Sequence, residues 1–288
     1  MNSMNSKIIS LLFSFFFVSS LYASEVEHFF VVSGVVINSG NSKKIENFIQ
    51  MLEDKSGYKL KPYYVRSYEH LSQVLQDNPD ALAWTCGAPY VEDAIKDGQQ
   101  LIAVPLYKGV PTYSSFIVSR KSDPGKSILD FKSKIFTYSD PRSNSGFVAP
   151  ASELQKHGYK IGTFFSVEIY AGIHEKSIEA IYRGLADVAA IDEYVWIEYT
   201  KTHPHLKEQL HVIQKIGPYA FTPIVAGKDV DKKTIKKLQE ALVGMSKVEL
   251  QTFKNDFNMD GFVIKDKTFF QSIKTNMLVV GIDLEVEK

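Results

Sequence analysis

Residues 135–150 read IFTYSDPRSNSGFVAP, from Ile135 to Pro150. The β-branched and aromatic run Ile135 to Tyr138 has strand composition. Asp140 and Pro141 turn the chain out of that strand. Ser143, Asn144 and Ser145 then offer short side chains with hydroxyl or amide donors, and Gly146 lets the backbone approach a neighbour closely. Pro150 fits only the first turn of the helix that follows. The segment is therefore a strand, a donor-rich loop and a helix start, the repeating unit of an α/β protein. Such a neutral loop can hold an oxyanion on a helix N-terminus without Lys or Arg. The same letters also make an ordinary Ser N-cap with its turn.

The pattern repeats on either side. Strand-like runs occur at Phe29 to Val32, Ala81 to Trp84, Ser115 to Ser119 and Val188 to Ile191. Helical spacing of apolar residues marks Lys43 to Asp54, Leu71 to Gln76, Tyr90 to Lys96, Phe147 to His157, Glu175 to Arg183 and Lys232 to Gly244. This alternation predicts mainly parallel sheets. Three loops lead from strand to helix, TCGAP (Thr85 to Pro89), SDPRSNSG (Ser139 to Gly146) and YAGIH (Tyr170 to His174). In open α/β sheets the ligand crevice lies beyond such strand ends, so three converging helix starts point to an anion site.

Composition narrows the function. Among 288 residues, 33 Lys and Arg balance 33 Asp and Glu, and no basic stripe offers the phosphate neutralisation that nucleic-acid binding needs. Lys7, an apolar run from Ile8 to Val18, and Ala23 before the acidic Glu25 and Glu27 form the three-part pattern of a secretory signal peptide over 1–23. That run falls short of the roughly 20 residues that span a bilayer. The pattern therefore implies export rather than anchoring. Cys86 is the one cysteine, so no internal disulfide forms. Its position before a helix start could lower a thiol pKa, though a lone cysteine is more often structural. His203 and His205, in THPH, lack the partners of a metal set, and no cofactor motif is present.

Five segments in order carry a resemblance: AWTCGAPYVE (83–92), YSSFIVSRKSD (113–123), DPRSNSGFVAP (140–150), GIHEKSIEAIYRGLADVAAID (172–192) and GPYAFTPIVA (217–226). Together the chain resembles the periplasmic phosphonate-binding family, relatives of phosphate and phosphite binders that include arsenic-oxyanion sensors. The resemblance implies an α/β, two-lobe type 2 periplasmic binding fold with a hinge of two crossing strands. On it, 24–114 and 219–288 form one lobe and 115–218 the other, with crossings near Tyr113 and Tyr219.

It also implies a site. Tyr113 with Ser114 or Ser115 resembles the family's tyrosine–serine contact, both serines here following the tyrosine. Ser143, Asn144 and Ser145 match the anion loop, with Asn144 where a threonine is common. His174 matches a donor at a helix start, and Asp192 an acidic residue that accepts from a protonated oxygen or an amine and repels fully ionised sulfate. Asp187 is a weaker competitor for that role, since GLAD reads as a turn. Tyr90 is expected to pack against the ligand. The implied function is binding of a tetrahedral oxyanion (phosphate, phosphite, phosphonate or arsenate) and its presentation to an ABC permease or a sensor kinase, with no catalysis. The alternative is an arsenite sensor that uses Cys86 as a soft ligand and signals to a histidine kinase.

Overall fold

The structure, a computed structural model, describes residues 27–33 and 42–285; the signal peptide expected over 1–23 lies outside the described residues. The first part of the chain runs β1 (His28–Val32), α1 (Ser42–Ser56), β2 (Leu60–Tyr64), α2 (Tyr68–Asp77), β3 (Leu82–Trp84), α3 (Gly87–Lys96) and β4 (Gln100–Pro105). A second part holds β5 (Thr112–Arg120), β6 (Ile135–Tyr138), α4 (Ala149–Lys156), α5 (Ile161–Phe164), β7 (Val167–Tyr170) and α6 (His174–Tyr182). It continues through β8 (Val188–Asp192), α7 (Glu193–Thr202), α8 (Leu206–Gln209) and β9 (Leu210–Ala220). The chain then returns with β10 (Ile224–Ala226), α9 (Lys232–Val243), α10 (Lys247–Phe257), β11 (Phe262–Val263) and α11 (Gln271–Val279).

Two sheets result, ordered β11-β4-β10-β3-β1-β2 and β7-β6-β8-β5-β9. They are mixed, not mainly parallel. β1 runs parallel to β2 and β3, and β6 to β7 and β8, but β10 is antiparallel to β3 and β4, and β5 to β8 and β9. β11 is also antiparallel to β4, while β5, β9 and β10 are the antiparallel strands next to the crossings. The chain leaves the first sheet after Pro105 to enter β5, and comes back from β9 into β10. β5 and β9 thus lie side by side with opposite directions, Tyr113 opposite Tyr219, and the Phe221 amide donates to the Pro111 carbonyl at 2.9 Å.

Packing explains the elements. α1 buries Ile45, Phe48, Ile49 and Leu52, the three-and-four stripe of its sequence. Phe48 meets Trp84 at 5.5 Å between ring centroids, and Phe253 and Phe257 close the same aromatic cluster. Each such buried side chain contributes about 1.5–3 kcal/mol. α10 starts at a capping box, Ser246 with Glu249, and stops at Asn258 in the left-handed region. In the second sheet β5 alternates: Phe116 and Val118 join Ile178, Ile181 and Trp196 on one face, while Ile117 joins the main core. Ser115 shares the face of Ile117 and is fully buried.

Candidate ligand site

Five helix starts and one crossing strand meet between the sheets. After β6, Ser143 caps a single π turn over Asn144–Val148, its hydroxyl accepting from the Gly146 amide at 3.0 Å. Two amides, Phe147 and Val148, both donate to the Ser143 carbonyl at 3.0 Å, which widens the turn before α4 begins. Gly146 is needed for a close approach, but to protein: a Cβ there would lie 2.6 Å from Ser139 Oγ and 3.0 Å from Ser143 Oγ.

The loop is tied to its surroundings on three sides. Asn144 Nδ2 donates to the Tyr113 hydroxyl at 3.0 Å, and the Ser115 hydroxyl donates to the Ser145 carbonyl at 2.6 Å. The Asn144 amide points at Cys86 Sγ, 3.4 Å away at the N-cap of α3. Of the two candidate serines, Ser115 therefore reaches the loop, whereas the Ser114 amide donates to Glu193 Oε2 at 3.0 Å. In this arrangement the Asn144 and Gly146 amides and Asn144 Nδ2 are all bonded to the protein. Buried atoms left without a hydrogen-bond partner include the donors Ser33 Oγ, Thr85 Oγ1 and Arg142 Nε, and two acceptors, Asn144 Oδ1 and Asp192 Oδ2. An unpaired buried acceptor costs about 1–3 kcal/mol, so both call for a donor.

Asp192 ends β8 opposite Ser115 and does two jobs. Its Oδ1 caps α7 by accepting from the Tyr194 and Val195 amides at 2.7 and 3.2 Å, while Oδ2 stays free. Burial pushes its carboxyl up to about 7 against those two N–H groups, with Glu193 and Glu175 adding repulsion. Asp187 makes the turn expected of it, pairing with Arg120 at 2.9 Å and accepting from the Ile135 amide.

His174, the first residue of α6, is buried, with Nε2 3.2 Å from Ser139 Oγ and Nδ1 3.4 Å from the Asp192 amide. Burial lowers its pKa to about 3, so the imidazole is neutral and acts through hydrogen bonds rather than charge. Cys86 likewise departs from the helix-dipole expectation: burial raises the thiol pKa despite the Asn144 and Ala88 amides, so the thiol is protonated. Tyr90 is not brought into this network. Its ring packs edge-on against Phe270 at 4.8 Å and lines a separate groove with Lys267 and Lys274.

Sequence reading missed Tyr68. It opens α2 behind the N-cap Ser67, is buried, and its amide donates to Asp140 Oδ2 at 3.2 Å. With Ser33, Arg66, Ser67, Ser139, Asp140 and His174 it lines a crevice of about 10 Å³, roughly the smallest space that holds one water. The Ser-Tyr pair ahead of the Leu71 stripe is the N-cap signal that could have placed it.

Two mixed α/β lobes, joined by two crossings and facing each other with helix starts and buried polar side chains, define a type 2 periplasmic solute-binding protein. The chain belongs to the family of phosphonate periplasmic substrate-binding proteins of ABC transporters, which it matches over residues 38–268. A phosphonates-binding periplasmic protein of Escherichia coli K12 is 26% identical over 259 residues, covering 85% of this chain and 76% of that one. Among solved structures, a binding protein component of an ABC phosphonate transporter from Pseudomonas aeruginosa is similar at TM-score 0.77 and 21% identity, covering 87% of this chain and 86% of that one. A phosphonate-binding relative from Prochlorococcus marinus, in complex with methylphosphonate, matches at TM-score 0.78 and 19% identity, covering 89% and 99%.

Proposed function

We propose that this protein captures a small phosphonate, or a related tetrahedral oxyanion (phosphate, phosphite or arsenate), between its lobes and presents the closed form to an ABC permease. The observation that carries the reading is the pair of unsatisfied buried acceptors, Asn144 Oδ1 and Asp192 Oδ2, in the network around Tyr113. A ligand that brings a proton of its own, on a phosphonate oxygen or an amine, satisfies them, and a fully ionised sulfate does not. Tyr113, Ser115, Ser143, Asn144, Ser145, His174 and Asp192 are the proposed contacts, joined by Tyr68. Lobe boundaries follow the crossings near Tyr113 and Tyr219, and the leader over 1–23 sends the chain to the periplasm.

We take the protein to be a carrier, not an enzyme. His174 has both ring nitrogens within reach of Ser139 and Asp192, and Cys86 is a buried thiol whose pKa is raised. The test is thermal unfolding with methylphosphonate, phosphate, phosphite, arsenate, arsenite and sulfate, where a ligand at 100 times its Kd stabilises by about 2.7 kcal/mol. A shift with tetrahedral anions but not sulfate supports the reading, and no shift with any of them overturns it. The contact between Cys86 and the Asn144 amide supports a second reading, an arsenite-binding protein that reports to a sensor kinase. A shift with arsenite alone, lost in Cys86→Ser, would select it.

A further inference from the structure

Arg142 sits in the loop after β6, one residue before Ser143, yet every charged partner it has lies on the other lobe. Its Nη2 is 2.6 Å from Asp93 Oδ1 and 3.0 Å from Glu92 Oε2, both on α3. Its Nη1 donates to Ser72 Oγ at 2.7 Å on α2, with Glu69 at 3.4 Å. Among the described residues, every ion pair that joins the two lobes belongs to this guanidinium. Asp93 is almost wholly enclosed, its side chain 4% exposed, and it is held further by Ser72 and Gln99. The socket is therefore prebuilt on the first lobe and reads a planar, forked cation.

Two further bonds tie the same loop to the first lobe: Asp140 Oδ2 accepts from the Tyr68 amide, and the Asn144 amide approaches Cys86. Asp140 Oδ1 also accepts from the Arg142 amide at 2.8 Å, which fixes the loop's shape around the guanidinium. The remaining polar links between the lobes have neutral donors; one, from the Ser152 hydroxyl to Asn276 Oδ1 at 3.0 Å, joins α4 to α11, and another joins Asn144 to Tyr113. Tyr107, which bonds Glu198 at 2.9 Å, stands in the crossing segment itself, and Asn258 and Tyr194 make neutral-donor contacts nearby. Links at a crossing turn with the hinge, whereas Arg142 and Asp93 must separate when the lobes part.

We propose that Arg142 is the clamp that holds the lobes closed, and that it couples closure to the occupancy of the Ser143–Gly146 loop. It is a positioning residue: it touches no ligand, but its withdrawal frees the loop that we read as the ligand contact. The coupling half rests on that reading; the clamp half does not.

The experiment compares the full mature chain with Arg142→Met, with Arg142→Met/Asp93→Asn, which leaves no uncompensated buried charge, and with Arg142→Lys. Small-angle X-ray scattering without ligand reads the opening, and circular dichroism checks that each variant is folded. Both Met variants are expected to have a larger radius of gyration than the wild type, with Lys between. A radius equal to wild type in the folded double variant overturns the clamp, whatever the ligand. Stopped-flow release of methylphosphonate is then expected to be about tenfold faster in the Met variants, about 1.4 kcal/mol, with association little changed. Unchanged release from variants that do open overturns the coupling. Failure of methylphosphonate to bind the wild type counts against the proposed function, and the scattering result still decides the clamp.

Discussion

Asn144 Nδ2 donates to the Tyr113 hydroxyl at 3.0 Å, so the loop after β6 hangs directly on one of the strands that cross between the lobes. Both residues are buried. Tyr113→Phe keeps the ring against Phe221 but leaves the amide without its acceptor. The expected cost is about 1–3 kcal/mol of stability, seen as a fall in Tm of several degrees, together with weaker methylphosphonate binding by titration calorimetry. An unchanged Tm would mean that the amide finds another partner.

Asp192 makes both stability and binding depend on pH. Its folded pKa, about 7, lies above the ordinary 3.8, so its contribution to stability is full below about 3.8 and is lost as pH rises through about 7. Glu175, also pushed up to about 7 by burial, acts in the same direction. Asp192→Asn should flatten part of the fall in Tm between pH 5 and 8. An ionised Asp192 accepts from a protonated ligand, so affinity should rise about tenfold from pH 6 to pH 8 relative to Asp192→Asn at the same pH, a ratio that cancels the ligand's own titration.

The Cys86 thiol, buried and with a raised pKa, should react slowly with a thiol reagent in the native protein and quickly once denatured. Cys86→Ser offers the Asn144 amide an oxygen instead, and should cost no more than about 1 kcal/mol while retaining methylphosphonate binding. Loss of that binding would give the sulfur a direct part in the site.

Gly146→Ala would bring a methyl group to 2.6 Å from Ser139 Oγ, closer than packing allows. A loss of about 1–3 kcal/mol is expected, measured by denaturant unfolding. Because Ser139 Oγ is the nearest atom, Ser139→Ala should recover part of it in the double variant, although His174 then loses a partner. Simple additivity of the two losses would place the strain elsewhere.

Much of the fold was legible where one strand or helix carries its own signal. Ile135 to Tyr138 matches β6, and the α1, α3, α6 and α9 stripes fall within a few residues of the observed helices. β10 was not separable, since Ile224 to Ala226 is three residues long and is a strand only because β3 and β4 flank it. The parallel expectation failed for the same reason: a residue pattern sets the strand, whereas the route of the chain sets its direction. In the site, short-range chemistry around Ser143 was readable, whereas the capping of α7 by Asp192 was not part of that reading. Tyr68 had only its Ser67 cap as a local trace, and the partners of Arg142 had none, because they lie 49 to 73 residues away in sequence.

β10 lies between β4 and β3 at the middle of the first sheet, although it is synthesised after the whole of the second. Until it arrives, the earlier strands of the first sheet stand as two pieces, β4 on one side and β3, β1 and β2 on the other. The inserted lobe, whose five strands are consecutive from β5 to β9, can be complete while its host is still split. The topology thus lets the segment that starts second finish first, and leaves the two pieces of the outer lobe's sheet to be joined by a three-residue strand late in the chain.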